Sequence, residues 1–163
     1  FAPVKKARLD FIAQKACEMG CSRIWPVRTD YTQVARVNDD RMLANVIEAA
    51  EQTERLDIPE VMEFVPLEEA LEACGSERRL IFCDESAAGD VAANPVRVLG
   101  GAGSISSAAV LIGPEGGFSD TEKAMIAHRQ NSLKLSLGPR ILRADTAAIA
   151  ALTCFQSVCG DWT

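Results

Sequence analysis

Leu111-Ile112-Gly113-Pro114-Glu115-Gly116-Gly117-Phe118-Ser119-Asp120-Thr121-Glu122 joins the apolar run Ala108 to Ile112 to a helix start. The joining loop holds three glycines. Ser119 and Glu122 have capping-box spacing, in which each side chain satisfies a backbone N–H that the helix start leaves unpaired. Strand, glycine loop and helix N-terminus together expose backbone donors to a ligand. Glycine permits positive φ and close approach of the main chain. The spacing G-x-G-x-x-G is absent, and so is the Lys-Ser/Thr pair of a P-loop. The stretch therefore suits a small polar cofactor whose phosphates need not be the target.

A second segment answers the first. Leu133-Lys134-Leu135-Ser136-Leu137 alternates apolar and polar, as a half-buried strand does. It runs into Gly138-Pro139-Arg140-Ile141-Leu142-Arg143 and then Ala144-Asp145-Thr146-Ala147-Ala148, where Asp145 or Thr146 is expected to cap the last helix. In open α/β sheets, ligands sit outside the carboxyl ends of the strands. Two such loops from adjacent parallel strands would make one pocket.

Working outward, Leu9, Ile12, Ala13 and Ala16 recur at helical spacing, so Lys5 to Met19 reads as an amphipathic helix closed by Gly20. Ser22 to Val27 reads as a strand interrupted by Pro26. Asn38 or Asp39 can cap a second helix whose buried stripe is Leu43, Val46, Ile47 and Ala50. Pro66 to Cys74 reads as a short helix and Arg79 to Cys83 as a strand. Residues 84–107 read as mostly loop, with Val96 to Leu99 a possible short strand. This alternation predicts an α/β domain with a mainly parallel sheet and flanking helices.

The motifs carry a family resemblance. Ile112 to Phe118, followed by Leu137 to Ala147, is similar to the RsmE family of 16S ribosomal RNA uridine-N3 methyltransferases. Lys15-Ala16-Cys17-Glu18-Met19-Gly20 resembles that family's lysine and Glu-Leu-Gly motif, with Met19 in place of leucine. Ala49-Ala50-Glu51-Gln52-Thr53-Glu54-Arg55, with Pro59 after it, resembles its Ala-Glu-Gln-x-x-Arg motif. Asp145 stands where glutamate is usual, which shortens that carboxylate's reach. The resemblance implies a SPOUT-type fold with a C-terminal deep trefoil knot, and a homodimer with each pocket near the partner chain. Leu152, Phe155 and Val158 are candidates for core or dimer contact. The small residues of the last helix, Ala144 to Ala151, fit a threaded helix and an ordinary buried one equally well.

The family's members also carry an N-terminal PUA-like RNA-binding β-barrel. Residues 1–163 are expected to be the catalytic SPOUT domain without it. The net charge of −6 is the wrong sign for an autonomous nucleic-acid binder, so this span is expected to bind cofactor and to hold RNA poorly. Lys5, Lys6 and Arg8 form one small basic cluster, and Arg140 and Arg143 another near the expected pocket; solvated surface charge explains either. Six cysteines without a C-x-x-C pair, and the single histidine His128, argue against a zinc site. No apolar run is long enough to span a bilayer, and a reducing cytoplasmic setting is the simplest reading.

The cofactor that the resemblance implies is S-adenosylmethionine. It needs a dry slot for adenine, a few placed polar groups and room around a cationic sulfonium. Ile112, Leu135, Leu137, Ile141 and Leu142 are the candidate walls, and backbone groups around Gly113, Gly117, Gly138 and Leu142 the candidate hydrogen-bonding groups; the same leucines also suit a plain core. Methyl transfer to uridine N3 requires removal of its proton or stabilisation of the resulting anion. Glu115 as base and Arg143 as charge holder are the catalytic candidates, on two converging loops. A structural ion pair of Arg143 with Asp145 or Glu115 is the alternative, and for Glu115 a loop or helix-charge role. Gln52 and Arg55, by their match to the family motif, are candidates for contact with the RNA substrate or for shaping the site, a solvated helix end being the alternative, and Arg140 is a further candidate for RNA contact. Lys15 and Glu18 are placed to pair with each other. The function expected is methylation of uridine N3 in 16S ribosomal RNA of the small subunit. A ribose 2′-O RNA methyltransferase and a non-catalytic cofactor-binding module are the alternatives.

Overall fold

The structure, a computed structural model, describes residues 1–3 and 6–162. Lys5, where the sequence reading starts the first helix, lies outside them. The described elements run α1 (Lys6–Glu18), β1 (Arg23–Ile24), β2 (Val27–Arg28), α2 (Asp39–Gln52), β3 (Glu60–Val61), β4 (Val65–Pro66), α3 (Leu67–Cys74), β5 (Arg79–Cys83), a 3-10 turn (Glu85–Ala87), α4 (Pro95–Gly101), β6 (Ala108–Ile112), α5 (Asp120–Ala127), β7 (Ser132–Leu135) and α6 (Ala144–Val158). Every described strand pairing is parallel: β1 with β3, β2 with β4, and β6-β5-β7 with β5 in the centre. The mainly parallel α/β reading therefore holds.

Local chemistry accounts for the breaks. Pro26 separates β1 from β2, because proline supplies no ladder N–H. The Phe1–Ala2 backbone links β2 to β6: Val27 N donates to Phe1 O at 2.9 Å and Ala2 N to Ile112 O at 2.9 Å. At the end of α1, Cys21 N donates to Ala16 O and Gly20 N to Cys17 O, with Gly20 at φ +85°. That is a Schellman closure, which needs a left-handed residue where the glycine stands. Asn38 caps α2 through its side chain, which accepts from Arg41 N.

Side chains of β5 alternate between two faces. Leu80 and Phe82 pack with Leu67, Leu71, Phe118 and Ile126, so α3 and α5 cover one face. Ile81 packs with Leu99 and Leu135 on the other, under α4 and α6. Leu152, Phe155 and Val158 of α6 all pack inside the chain. Alanines 144, 148 and 151 bring α6 close to Ile112 of β6 and Ile12 of α1.

Three sequence expectations are corrected. Val96 to Leu99 is not a strand but the middle of α4. The Asn94 side chain accepts from Arg97 N at 3.2 Å and Pro95 takes the first turn, a helix-start signal that outweighs the three apolar residues Val96, Val98 and Leu99. The strand read as Leu133 to Leu137 ends at Leu135, because Ser136 N turns away to donate to Ala93 O at 2.8 Å. The last helix is not capped by Asp145 or Thr146. Its N-cap position is Arg143, without a side-chain bond, and the Asp145 carboxylate instead accepts from Thr146 N inside the first turn.

Candidate functional site

The order β6-β5-β7 places three loops side by side at the carboxyl ends of adjacent parallel strands. They are residues 84–88 after β5, 113–118 after β6 and 136–143 after β7. Between them lies a cleft of about 630 Å³, its open mouth included. All eight residues expected to meet a cofactor line it: Ile112, Gly113, Gly117, Leu135, Leu137, Gly138, Ile141 and Leu142. Leu135 and Ile112 also belong to the buried core. Ile141, by contrast, is 74% exposed and stands at the lip.

Each loop is shaped by its own residues. Gly117 N closes a turn on Pro114 O at 2.9 Å, with Gly117 at φ +70°. Gly113 presses on the Phe118 ring so closely that a Cβ there would meet ring carbon Cε2 at 2.7 Å. The Ser119–Glu122 capping box is formed in both directions. The Glu122 carboxylate also accepts from Asp30 N at 2.9 Å, which fastens the turn after β2 to the start of α5.

Glu115 and Arg140 line the cleft as well, whereas Arg143, Gln52 and Arg55 do not. The ion pair offered as an alternative for Arg143 is made by Arg8 instead. Arg8 Nη1 lies 2.7 Å from Glu115 Oε1, and Arg8 Nε lies 3.9 Å from Asp145 Oδ2. Arg143 is exposed at the start of α6, with no ion pair among the described residues. Lys5 and the side chain of Lys6, the rest of the first basic cluster, lie outside the described residues. Gln52 is exposed at the last position of α2. Arg55 is engaged by its own chain: Nη1 donates to Cys17 O at 2.5 Å and to Cys21 O at 3.0 Å, and Nη2 pairs with Asp57 Oδ2 at 2.6 Å. It thereby ties off the carbonyls at the end of α1. Lys15 and Glu18 pair at 2.7 Å.

The loop after β5 was missed by sequence reading. Asp84 is buried there and accepts from Ser86 N at 3.0 Å and Ser86 Oγ at 2.6 Å; Asp84 and Glu85 both line the cleft. The usable signal was an Asx turn, Asp84-Glu85-Ser86, directly after a strong strand. Arg8 was noticed only as surface charge. Asp84, Glu85, Glu115 and Arg140 give the apolar cleft a charged margin, in which Glu115 is paired with Arg8, Asp84 lies 4.0 Å from Lys123, and Glu85 has no ion pair among the described residues.

Cys83 also lines the cleft. Burial, with Cys154 nearby, pushes its thiol up to about 12. Burial likewise pushes the Cys21 thiol up to about 11, against the pull of Arg55. Both therefore stay protonated when the thiols of the unfolded chain ionise near pH ~8.5. Above that pH the unfolded state binds fewer protons than the native state, so stability falls as pH rises; well below it both states are protonated and the contribution vanishes. The loss from these two thiols is expected to be absent from urea unfolding midpoints at about pH 7 to 8 and to grow from about pH 9 upward. A Cys21→Ala/Cys83→Ala variant should drop less steeply, and equal slopes would refute the assignment.

A sequence profile for the family described as RNA methyltransferase domain matches residues 1–156. The chain belongs to the RNA methyltransferase domain family. This domain is 32% identical to a ribosomal RNA small subunit methyltransferase E of Rickettsia conorii, over 93% of the chain and 60% of that relative. It is 28% identical to the protein of the same name from Bacillus subtilis, over 91% of the chain and 60% of the relative. The relatives thus carry the name of the family that the four sequence motifs resemble. Among solved structures, the methyltransferase E of Neisseria gonorrhoeae bound to S-adenosyl methionine superposes with a TM-score of 0.85 at 28% identity, covering 99% of this chain and 65% of that one. A putative methyltransferase from Legionella pneumophila in complex with the same cofactor gives 0.79 at 33% identity, covering 96% and 63%. The chain spans about three-fifths of the length of the curated relatives it matches.

Proposed function

We propose that the cleft between the three loops binds S-adenosylmethionine and that the chain methylates N3 of uridine in 16S ribosomal RNA of the small ribosomal subunit. The observation that carries this reading is the convergence of Gly113, Gly117, Leu135, Leu137, Gly138 and Leu142 on one cleft. Relatives of the same fold are solved with that cofactor. When bound, the cofactor supplies an electrophilic methyl on a cationic sulfur. Leu135, Leu137, Ile141 and Leu142 would enclose its adenine, the glycine backbones would meet its polar edges, and Glu85 would face its positive charge.

Glu115 is assigned the N3 proton, with Arg8 fixing that carboxylate. Arg143 is assigned the negative charge that spreads onto the uracil carbonyls. It lies one residue beyond cleft-lining Leu142, and no carboxylate of the described residues neutralises it. Arg140 and Gln52 are assigned contacts to RNA, and Arg55 the shaping of the α1–α2 junction. The finer fold assignment is a SPOUT knot. Ser136 N to Ala93 O and Gly89 N to Gly138 O tie the chain entering α6 to the loop that follows β5, as a threaded segment would need. The homodimer is assigned to the exposed Val91, Val96 and Ile141 on those adjoining segments.

The deciding experiment supplies the full-length protein with small ribosomal subunits that lack the modification and with labelled cofactor. Label recovered as N3-methyluridine in 16S RNA is expected. Label on a ribose 2′ oxygen would move the chain to the alternative reaction. Cofactor binding by calorimetry without any transfer would leave a binding module only.

A further inference from the structure

A second, more open hollow, of about 820 Å³ with its open mouth included, adjoins the cofactor cleft and shares Glu115 with it. Its other lining residues are Asp30, Tyr31, Thr32, Gln33 and Gly116. Tyr31 is 51% exposed and lies over the Gly116 backbone, where a Cβ would meet Tyr31 Cβ at 3.3 Å. The turn that presents Tyr31 is pinned on both flanks. Thr29 N and Thr32 Oγ1 bond at 2.9 Å, and the two threonine hydroxyls lie 2.8 Å apart. Asp30 N is held by Glu122, and Asp30 Oδ2 accepts from Ser119 Oγ at 2.5 Å. An aromatic ring is thus held at the surface on a fixed support, directly beside the glycine loop of the cofactor cleft.

We infer that this hollow receives the target base of the RNA, extruded from its strand, with Tyr31 stacking on it and Gln33 and Glu115 reading its edge. The inference rests on the uridine reading above. Single-stranded bases are recognised by stacking on aromatic side chains and by hydrogen bonds to their Watson–Crick edges. Uracil offers an N3–H donor between two carbonyl acceptors. A carboxylate accepts from the first, and the Gln33 amide donates to a carbonyl. Cytosine presents a bare N3 acceptor to the same carboxylate, so the hollow selects uracil. Glu115 at the boundary places the reacting nitrogen next to the cofactor side.

The test uses full-length protein, unmodified small ribosomal subunits and S-adenosylmethionine. Tyr31→Leu keeps bulk without a ring, and Tyr31→Phe keeps the ring. Base stacking predicts that Tyr31→Leu lowers kcat/KM for subunits by about 5- to 150-fold. Tyr31→Phe should stay within about twofold, and calorimetric affinity for the cofactor should be unchanged in both. Full activity of Tyr31→Leu overturns the base site, as does a loss in Tyr31→Leu that a matching loss of cofactor affinity accounts for. A wild-type protein that labels no uridine overturns the functional reading itself. A wild type that labels uridine alongside an equally active Tyr31→Leu overturns this inference alone.

Discussion

Gly113→Ala is expected to weaken S-adenosylmethionine binding by more than about tenfold, and to lower the stability of the chain by about 1–3 kcal/mol. The added methyl would sit 2.7 Å from Phe118 Cε2, 3.1 Å from Cδ2 and 3.2 Å from Cζ. The far end of a flexible side chain could yield at such a distance, but Phe118 is buried. Its ring meets Phe82 edge-on with centroids 5.2 Å apart, and Ile126 belongs to the same cluster. The ring is packed on that side, so the strain moves it toward the cleft it lines or displaces the backbone of residues 113–117. That backbone lines the cleft proposed for the cofactor, and an extra 1.4 kcal/mol of misfit there is a factor of ten in affinity. Calorimetry with the cofactor and urea unfolding measure the two effects separately. An unchanged affinity in Gly113→Ala would mean that the adenosyl group does not approach this loop.

The glycine loop after β6 was legible because it is local: strand, glycine and cap lie within a dozen residues, and their spacing carries the geometry. The same holds for Leu135 to Leu142, where period-two alternation gives way to Gly138 and Pro139. The loop after β5 was not legible. Asp84 and Glu85 matter because β5 lies between β6 and β7, and strand order is a non-local property that no window of sequence contains. The partner of Glu115 was missed for the same reason, since Arg8 is 107 positions away. Two turns of loop sequence near Arg143 suggested a pairing with its neighbours, whereas folding brought α1 across to take both carboxylates. The misread at Val96 to Leu99 is different in kind. A short apolar run is ambiguous between strand and helix, and here the start signal Asn94-Pro95 settled it. Arg55 shows the limit of motif transfer: the motif drew attention to the residue, but its guanidinium is bonded to the end of α1.

Glu122→Leu is expected to cost about 2–5 kcal/mol, a large fraction of the stability of an ordinary domain. Glu122 is 5% exposed, and each of its oxygens has one main-chain donor: Oε2 accepts from Ser119 N at 2.9 Å and Oε1 from Asp30 N at 2.9 Å. Leucine fills the volume but leaves both N–H groups without an acceptor, and each such loss costs about 1–3 kcal/mol. Glu122→Gln is the sharper variant. It keeps one acceptor and turns an NH2 group toward the other donor, so it should lose about half as much. Ser119→Ala removes the reciprocal half of the box together with the Ser119 Oγ bond to Asp30 Oδ2, at about 1–2 kcal/mol. Because all three groups act on one junction, the double variant Ser119→Ala/Glu122→Leu should cost less than the sum of the single changes. The same junction holds the turn that carries Tyr31, so Glu122→Gln should impair methyl transfer to ribosomal subunits more than it impairs cofactor binding. Urea unfolding, calorimetry and transfer rates on the same preparations check the order. Stability within about 0.5 kcal/mol of wild type in Glu122→Leu would show that α5 and the turn after β2 are not joined through this carboxylate.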